Sequence, residues 1–135
     1  VNDSVSEFIA SKVVKLMIKK DINVSSARAL ILGVTFKENC PDVRNTKVIE
    51  VYRALQEYGV SVDLHDPWAN AEEVRHEYGV DILSELNTSV NYDAIIVAVA
   101  HNEFLSLDLN SLKNGKSVVF DLKACLDRDL VDARL

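Results

Sequence analysis

Lys37 and Arg44 are the side chains best placed for chemistry, because both follow an uncharged apolar run, Ala29–Thr35, within one loop. The run delivers Phe36 and Lys37, breaks at Pro41, and passes Asp42-Val43-Arg44 before a helical pattern starts at Asn45 or Thr46. A helix start carries roughly half a positive charge on its free N–H groups. Two full cations beside it make an anion site, and phosphate suits such a site. The plainer alternative is a pair of surface cations with Arg44 bridged to Asp42, and exposed ion pairs count for little. A long loop leaving a buried strand favours function. On the residues alone, both readings stay open.

The remaining reactive side chains give weaker signals. Cys40 has no neighbouring base to activate it and reads as a non-catalytic thiol. His101 ends an apolar run and reads as a loop histidine held by hydrogen bonds, although a cleft position would also suit it. His65 and His76 lack partners at metal-ligand spacing, so no metal is assigned. Trp68 follows an Asp-Pro turn and reads as packing rather than as a base-stacking platform. Asp121 and Asp127 show no paired-carboxylate arrangement.

Composition narrows the class. The chain has 135 residues, 48% of them hydrophobic, and a net charge of −6. That length suits one domain burying roughly two-thirds of its unfolded surface. The negative balance argues against nucleic acid or an anionic membrane as partner, so any bound anion must be held by local groups. No apolar stretch approaches the roughly 20 residues of a membrane span. Two cysteines without metal-like spacing and no visible signal peptide fit a reduced, cytoplasmic protein. A first residue of Val1 rather than Met suggests a fragment of something longer.

The elements that must position the loop can be read from periodicity. Val5, Phe8, Ile9, Val13, Leu16 and Met17 recur at helical spacing and, with Ser4 and Glu7 as a capping box, predict a helix over 4–20. A buried strand over about 28–34 follows. Asn45 caps a second helix with Val48, Val51, Tyr52 and Leu55 inward, stopped at Gly59. A strand over 60–65 ends at Asp66-Pro67, and a polar helix over 69–78 closes at Gly79. Then come a brief strand at 80–83, a buried strand at 92–100, a short helix near 108–114 and a last buried strand at 117–122, and the tail from Asp127 has few signals beyond room for a short turn of helix.

Strands alternating with helices predict a mainly parallel sheet covered on both faces, a Rossmann-like three-layer α/β/α domain behind an N-terminal connector helix. Ligands of such sheets lie outside the strands' carboxyl ends. Here those ends present Phe36-Lys37, Asp66, His101-Asn102 and Asp121-Leu122-Lys123. The first turn offers only Gly33 and no GxGxxG, which disfavours a dinucleotide site of the chain's own.

The segment Gly33–Thr46, GVTFKENCPDVRNT, resembles the G-x-x-F-K-x-x-x-x-D-x-R-x-[ST] pattern of the UDP-glucose/GDP-mannose dehydrogenase family. Val1-Asn2-Asp3 is similar to the family's I-N-D, Asp66-Pro67 to its D-P turn, residues 99–104 to its A-x-H-x-x-F, and Phe120–Lys123 to its D-x-[KR] strand end. The DPW turn before E-E-x-x-x-E-Y-G looks most like the branch acting on UDP-N-acetylhexosamines. The resemblance implies a three-part enzyme with an NAD domain, a central dimerising region and a UDP-sugar domain. This chain resembles the third part, with 1–20 the end of the interdomain connector helix and 21–135 the UDP-sugar-binding domain.

The family's reaction oxidises a sugar C6 alcohol to a carboxylate, reducing two NAD, in polysaccharide precursor synthesis. A cysteine thiolate captures the intermediate aldehyde. That cysteine matches neither Cys40 nor Cys125, so the chain alone is expected to be inactive. Carried over by position, Phe36 and Lys37 would line the substrate pocket, Lys123 would lie near the UDP moiety, and Arg44 would reach the pyrophosphate of NAD. Ala124 stands where the family commonly has glycine. The implied partners are a UDP-sugar (UDP-N-acetylhexosamine or UDP-glucose), the rest of the dehydrogenase, and a second copy in a homodimer. The competing reading is a non-catalytic α/β module that regulates or dimerises through helix 4–20, whose apolar stripe must cover something.

Overall fold

The computed structural model describes residues 3–44, 46–86 and 89–134. Five strands, β1 (Arg28–Leu32), β2 (Ser61–His65), β3 (Tyr92–Val97), β4 (Lys113–Asp121) and β5 (Ala133–Arg134), form one parallel sheet. Their order is β2-β1-β3-β4-β5. The central strands β1 and β3 carry uncharged runs at 29–32 and 94–97, where both faces are covered, and their charged residues, Arg28 and Asp93, stand at the strand starts. Side chains alternate between two layers. Ala29, Ile31, Ala94, Ile96, Val118 and Phe120 point into one, and Leu30, Leu32, Ile95, Val97 and Val119 into the other. Burying each of the larger ones stabilises the fold by roughly 1.5–3 kcal/mol.

The first layer is built by α1 (Asp3–Lys19), α2 (Val48–Glu57) and α3 (Ala71–Tyr78). In α1 the buried stripe is Ile9, Ala10, Val13, Val14 and Met17, and it packs within the chain's own core. Val5 and Phe8, expected on that stripe, are exposed by 52% and 57%, because the stripe runs back through Ile9 to the buried Ser6 and each of them lies one residue, about 100°, round the helix from it. Beyond the helix, Lys20 Nζ bonds the Ser117 carbonyl and Asp132 Oδ1, tying the helix end to β4 and the start of β5. In α2, Ile49, Val51, Ala54 and Leu55 are buried, with Val48 and Tyr52 half-covered beside them. Gly59, with φ +93°, takes the left-handed turn that ends this helix. Asn70 caps α3 by accepting the N–H groups of Glu72 and Glu73. The expected cap at Asn45 lies outside the described residues, as does the side chain of Ser4.

The opposite layer is thinner. It consists of α4 (Asn102–Leu105), a 3₁₀ turn at Leu109–Leu112 and the chain around Leu126, which together bury Phe104, Leu109, Leu112 and Leu126. The helix expected near 108–114 is that single 3₁₀ turn, because β4 already begins at Lys113. The strand expected at 80–83 is one bridge from Leu83 to His65. The unpredicted β5 is two residues long and pairs Ala133 with Phe120.

β1 stops at Leu32, short of the expected 34, for a steric reason. Gly33 has φ +100°, and a Cβ there would sit 2.6 Å from Val99 Cβ. The exits of β1 and β3 therefore press against each other. From that contact the chain leads to β2 on one side of the sheet and to β4 on the other.

Candidate functional site

Strand order reverses between β1 and β3, the place where open parallel sheets form a crevice beyond their carboxyl ends. A hollow of about 230 Å³ opens there. Thr35 and Phe36 line it after β1, Thr46, Lys47 and Val48 at the start of α2, Ala98 and Val99 after β3, and Leu122 and Lys123 after β4. Phe36, 59% exposed, holds an apolar ring at the mouth. Thr46 Oγ1 accepts the Val48 N–H at 3.2 Å and so shapes the first turn of α2. Both lysines are exposed. A helix N-terminus flanked by two ammonium groups and an aromatic face can hold a phosphate joined to a planar or sugar ring.

The turn that presents Lys123 rests on a buried carboxylate. Asp121 Oδ1 accepts the Lys123 N–H at 3.0 Å and Oδ2 accepts the Leu126 N–H at 2.8 Å. Ala124 is left-handed in this turn, with φ +51°, a conformation that favours glycine. The Cys125 thiol, 3.7 Å from Asp121 Oδ1, is pushed up to about 11 by burial and by that carboxylate. It is therefore a poor nucleophile near neutral pH.

Lys37 and Arg44 do not share a hollow. Lys37 is exposed on the loop beside Phe36, outside the lining, and its carbonyl accepts the Thr35 hydroxyl at 3.0 Å. Arg44 is clamped by Asp42, Nε to Oδ1 at 3.0 Å and Nη2 to Oδ2 at 3.1 Å. The guanidinium hydrogen bonds hold the Asp42 carboxyl below the usual carboxylate range. Arg44 opens instead onto a second hollow of about 530 Å³ with Val43, Asn70, Glu72, Glu73, His76 and Glu77. The separation has a backbone cause: Phe36 N–H donates to the Asp42 carbonyl at 2.7 Å, closing the loop on itself between the two cations. The structure thus does not bring Lys37 and Arg44 to one hollow, and the cations that line the hollow beyond β1 and β3 are Lys47 and Lys123. Lys47 was missed because the loop path, not its type, brings it to the hollow; its place in the first turn of a helix was the available signal.

Behind the loop lies a sealed polar cluster. Asp66, expected at the carboxyl end of its strand, accepts five hydrogen bonds: Val34 N–H, Thr35 N–H and His101 Nε2 on Oδ2, and Trp68 N–H and Ala69 N–H on Oδ1. His101 is fully buried and hydrogen-bonded on both ring nitrogens, as expected of a held loop histidine. Trp68 stacks on it with ring centroids 6.0 Å apart, a packing role, and donates Nε1–H to Glu103 at 2.9 Å. That bond holds the Glu103 carboxyl below its usual range. Among the described residues no three His, Cys, Asp or Glu side chains are grouped to hold a metal ion, and no helix is long and apolar enough to cross a membrane.

An all-parallel sheet with a hollow lined by two lysines at its point of strand reversal defines a Rossmann-like α/β domain. The chain belongs to the UDP-glucose/GDP-mannose dehydrogenase family: residues 30–128 match the model of that family's UDP binding domain. It is 47% identical over its whole length to UDP-N-acetyl-D-glucosamine 6-dehydrogenase of Salmonella typhi and 45% identical to that of Pseudomonas aeruginosa, covering 32% of each. The chain thus spans about a third of these relatives. Its fold matches that of UDP-D-ManNAc dehydrogenase from Pyrococcus horikoshii with a TM-score of 0.73 at 20% identity, over 95% of this chain and 30% of that one.

Proposed function

We propose that this chain forms the UDP-sugar-binding part of an NAD-dependent nucleotide-sugar 6-dehydrogenase, with a UDP-N-acetylhexosamine as its substrate and polysaccharide precursors as its products. The reading is carried by one observation. The hollow where Phe36, Lys47, Lys123 and the start of α2 meet lies inside the segment that matches a UDP binding domain. In this reading the diphosphate lies at the α2 N-terminus, Lys47 and Lys123 balance its charge, and Phe36 with Lys37 flanks the sugar-nucleotide. Neutralisation by fixed cations orients the sugar without committing this domain to the bond-breaking step.

The residues here do not make a dinucleotide site of their own. Gly33 is required by the close approach of Val99 and has no companion glycine in its turn. Arg44, exposed beyond the Asp42 clamp, is the group that would meet the pyrophosphate of NAD held elsewhere in the enzyme. Oxidation of the C6 alcohol needs that NAD and a reactive thiolate. With its pKa raised, Cys125 does not supply the thiolate, and no described side chain hydrogen-bonds Cys40 to activate it. The domain's work is to bind and orient.

Calorimetric titration of the 135-residue chain with UDP-N-acetylglucosamine, UDP-glucose and UDP tests the proposal. Saturable binding of all three, with the acetylated sugar strongest, is expected; no binding of UDP at millimolar concentration overturns it. The competing dimerisation reading is weakened where Ile9–Met17 of α1 packs into the chain's own core, and it keeps only the exposed Val5, Phe8 and Ile18 as a surface. Sedimentation as a monomer is the matching expectation, and a stable dimer would restore that reading.

A further inference from the structure

The Asp66–His101 cluster makes none of the nucleotide contacts assigned above, yet it grips the loop that carries Phe36 and Lys37. His101 Nδ1 accepts the Asn39 N–H at 2.8 Å, and Asn39 Oδ1 accepts the Asn102 N–H at 3.0 Å. A ring nitrogen that accepts from an N–H carries no proton. The single ring proton therefore sits on Nε2, facing Asp66 Oδ2 at 2.9 Å and Thr35 Oγ1 at 3.0 Å. Thr35 in turn donates to the Lys37 carbonyl, so one imidazole fixes both ends of the segment 37–39. Asn39 is held left-handed there, with φ +55°.

We propose that His101 is a positioning residue that latches this loop in a pH-dependent way. With Nδ1 bare, the loop is closed and Phe36 stays at the mouth of the hollow. Once Nδ1 is protonated, donor faces donor at the Asn39 N–H, and the loop is released. The charged groups facing the ring are Asp66 beyond β2 and Glu103 on α4. Thr35 and Asn39 contribute neutral groups, and Trp68 and Phe104 cover the ring with centroids at 6.0 Å and 5.4 Å. The effect on ligand affinity rests on the nucleotide-sugar reading; the latch does not.

Nitrogen-15 NMR of the chain across a pH titration, with the protonation state of the His101 ring read from its own nitrogen shifts, reads both parts. At the upper end His101 shows the Nε2–H tautomer and the Asn39 amide is protected from exchange. As the ring protonates, exchange at Asn39, corrected for its intrinsic pH dependence, rises about tenfold while amides in β1 and β3 stay protected. His101→Asn keeps an acceptor near Nδ1 that cannot be protonated, so its Asn39 protection is flat with pH. His101→Phe keeps ring packing without an acceptor, and Asn39 loses protection at every pH.

An Nδ1–H tautomer, or Asn39 exchange indifferent to His101 protonation, overturns the latch. Parallel titrations with UDP-N-acetylglucosamine expect an affinity about tenfold weaker at the low end for wild type and unchanged for His101→Asn. Equal wild-type affinity at both ends severs the latch from the site. No binding at either end, with Asn39 still following pH, removes the nucleotide reading and leaves the latch standing.

Discussion

The Asp66–His101 cluster and the Phe36–Lys123 hollow share the strand ends of one sheet, yet one is sealed and the other open. Asp66 and His101 are 4% and 0% exposed, and every polar atom that meets them is a protein group in place before any ligand arrives. Lys47, Lys123 and Phe36 are exposed and make no such network. Buried polar atoms must be satisfied by the fold itself, whereas cations awaiting an anion must not be. Arg44 falls between the two, exposed but already answered by Asp42. The contrast separates side chains that build the site from those left to use it.

Substitutions test that separation, beginning on the sealed side. Asp66→Ala orphans the N–H groups of Val34, Thr35 and Trp68, and leaves Ala69 N–H only the residue-66 carbonyl and His101 Nε2 only Thr35 Oγ1; at roughly 1–3 kcal/mol for each orphaned buried donor, partly relieved by water, a loss of about 4 kcal/mol is expected in urea unfolding. A loss under about 1 kcal/mol would mean that the cluster does not hold the strand ends. Gly33→Ala combines a left-handed backbone with a Cβ 2.6 Å from Val99 and is expected to cost about 3 kcal/mol. Unchanged stability there would show that the exits of β1 and β3 are not in contact.

On the open side the effects move to binding. Lys123→Ala is expected to leave stability within about 0.5 kcal/mol of wild type while weakening UDP about tenfold by calorimetry, as loss of one charge-assisted contact does. Lys37→Ala, outside the lining, should weaken UDP less than Lys123→Ala does; the reverse order would move the site along the loop. Ala124→Gly relieves a left-handed alanine and is expected to raise stability by roughly 0.5–1 kcal/mol, read as a higher urea midpoint.

The smallest effect concerns Cys125. With the thiol raised from its ordinary value near 9 to about 11, iodoacetamide labelling in a Cys40→Ser background should be slow at pH 8 and climb until about pH 11. Because the folded chain holds this proton more tightly, the stability it lends is whole below about pH 9 and is lost as pH rises through about 11. Fast labelling at pH 8 would contradict the buried environment.

Much of the frame was legible because apolar runs without charge, short and rich in β-branched residues, suit strands covered on both faces, which located the strands around Ala29, Ala94 and Val118. The caps at Gly59 and Gly79 were legible for the same local reason. What sequence could not show was where a loop folds back. Closure from Phe36 to Asp42 decides that Arg44 turns away, and the start of α2 decides that Lys47 turns in. Asp66 looked like a strand stop, since three of its five partners, Val34, Thr35 and His101, lie 31 to 35 residues away along the chain. β5 was too short, at two residues, to leave a pattern.

In the proposed function a diphosphate settles between the α2 start and the turn after β4. Amide chemical-shift mapping of the chain during titration with UDP locates it. The largest shifts are expected at Thr46–Val48 and Leu122–Ala124, with Phe36 following. Shifts confined to Arg44 and the α3 start at Asn70–Glu73, or none at saturating UDP, would contradict it.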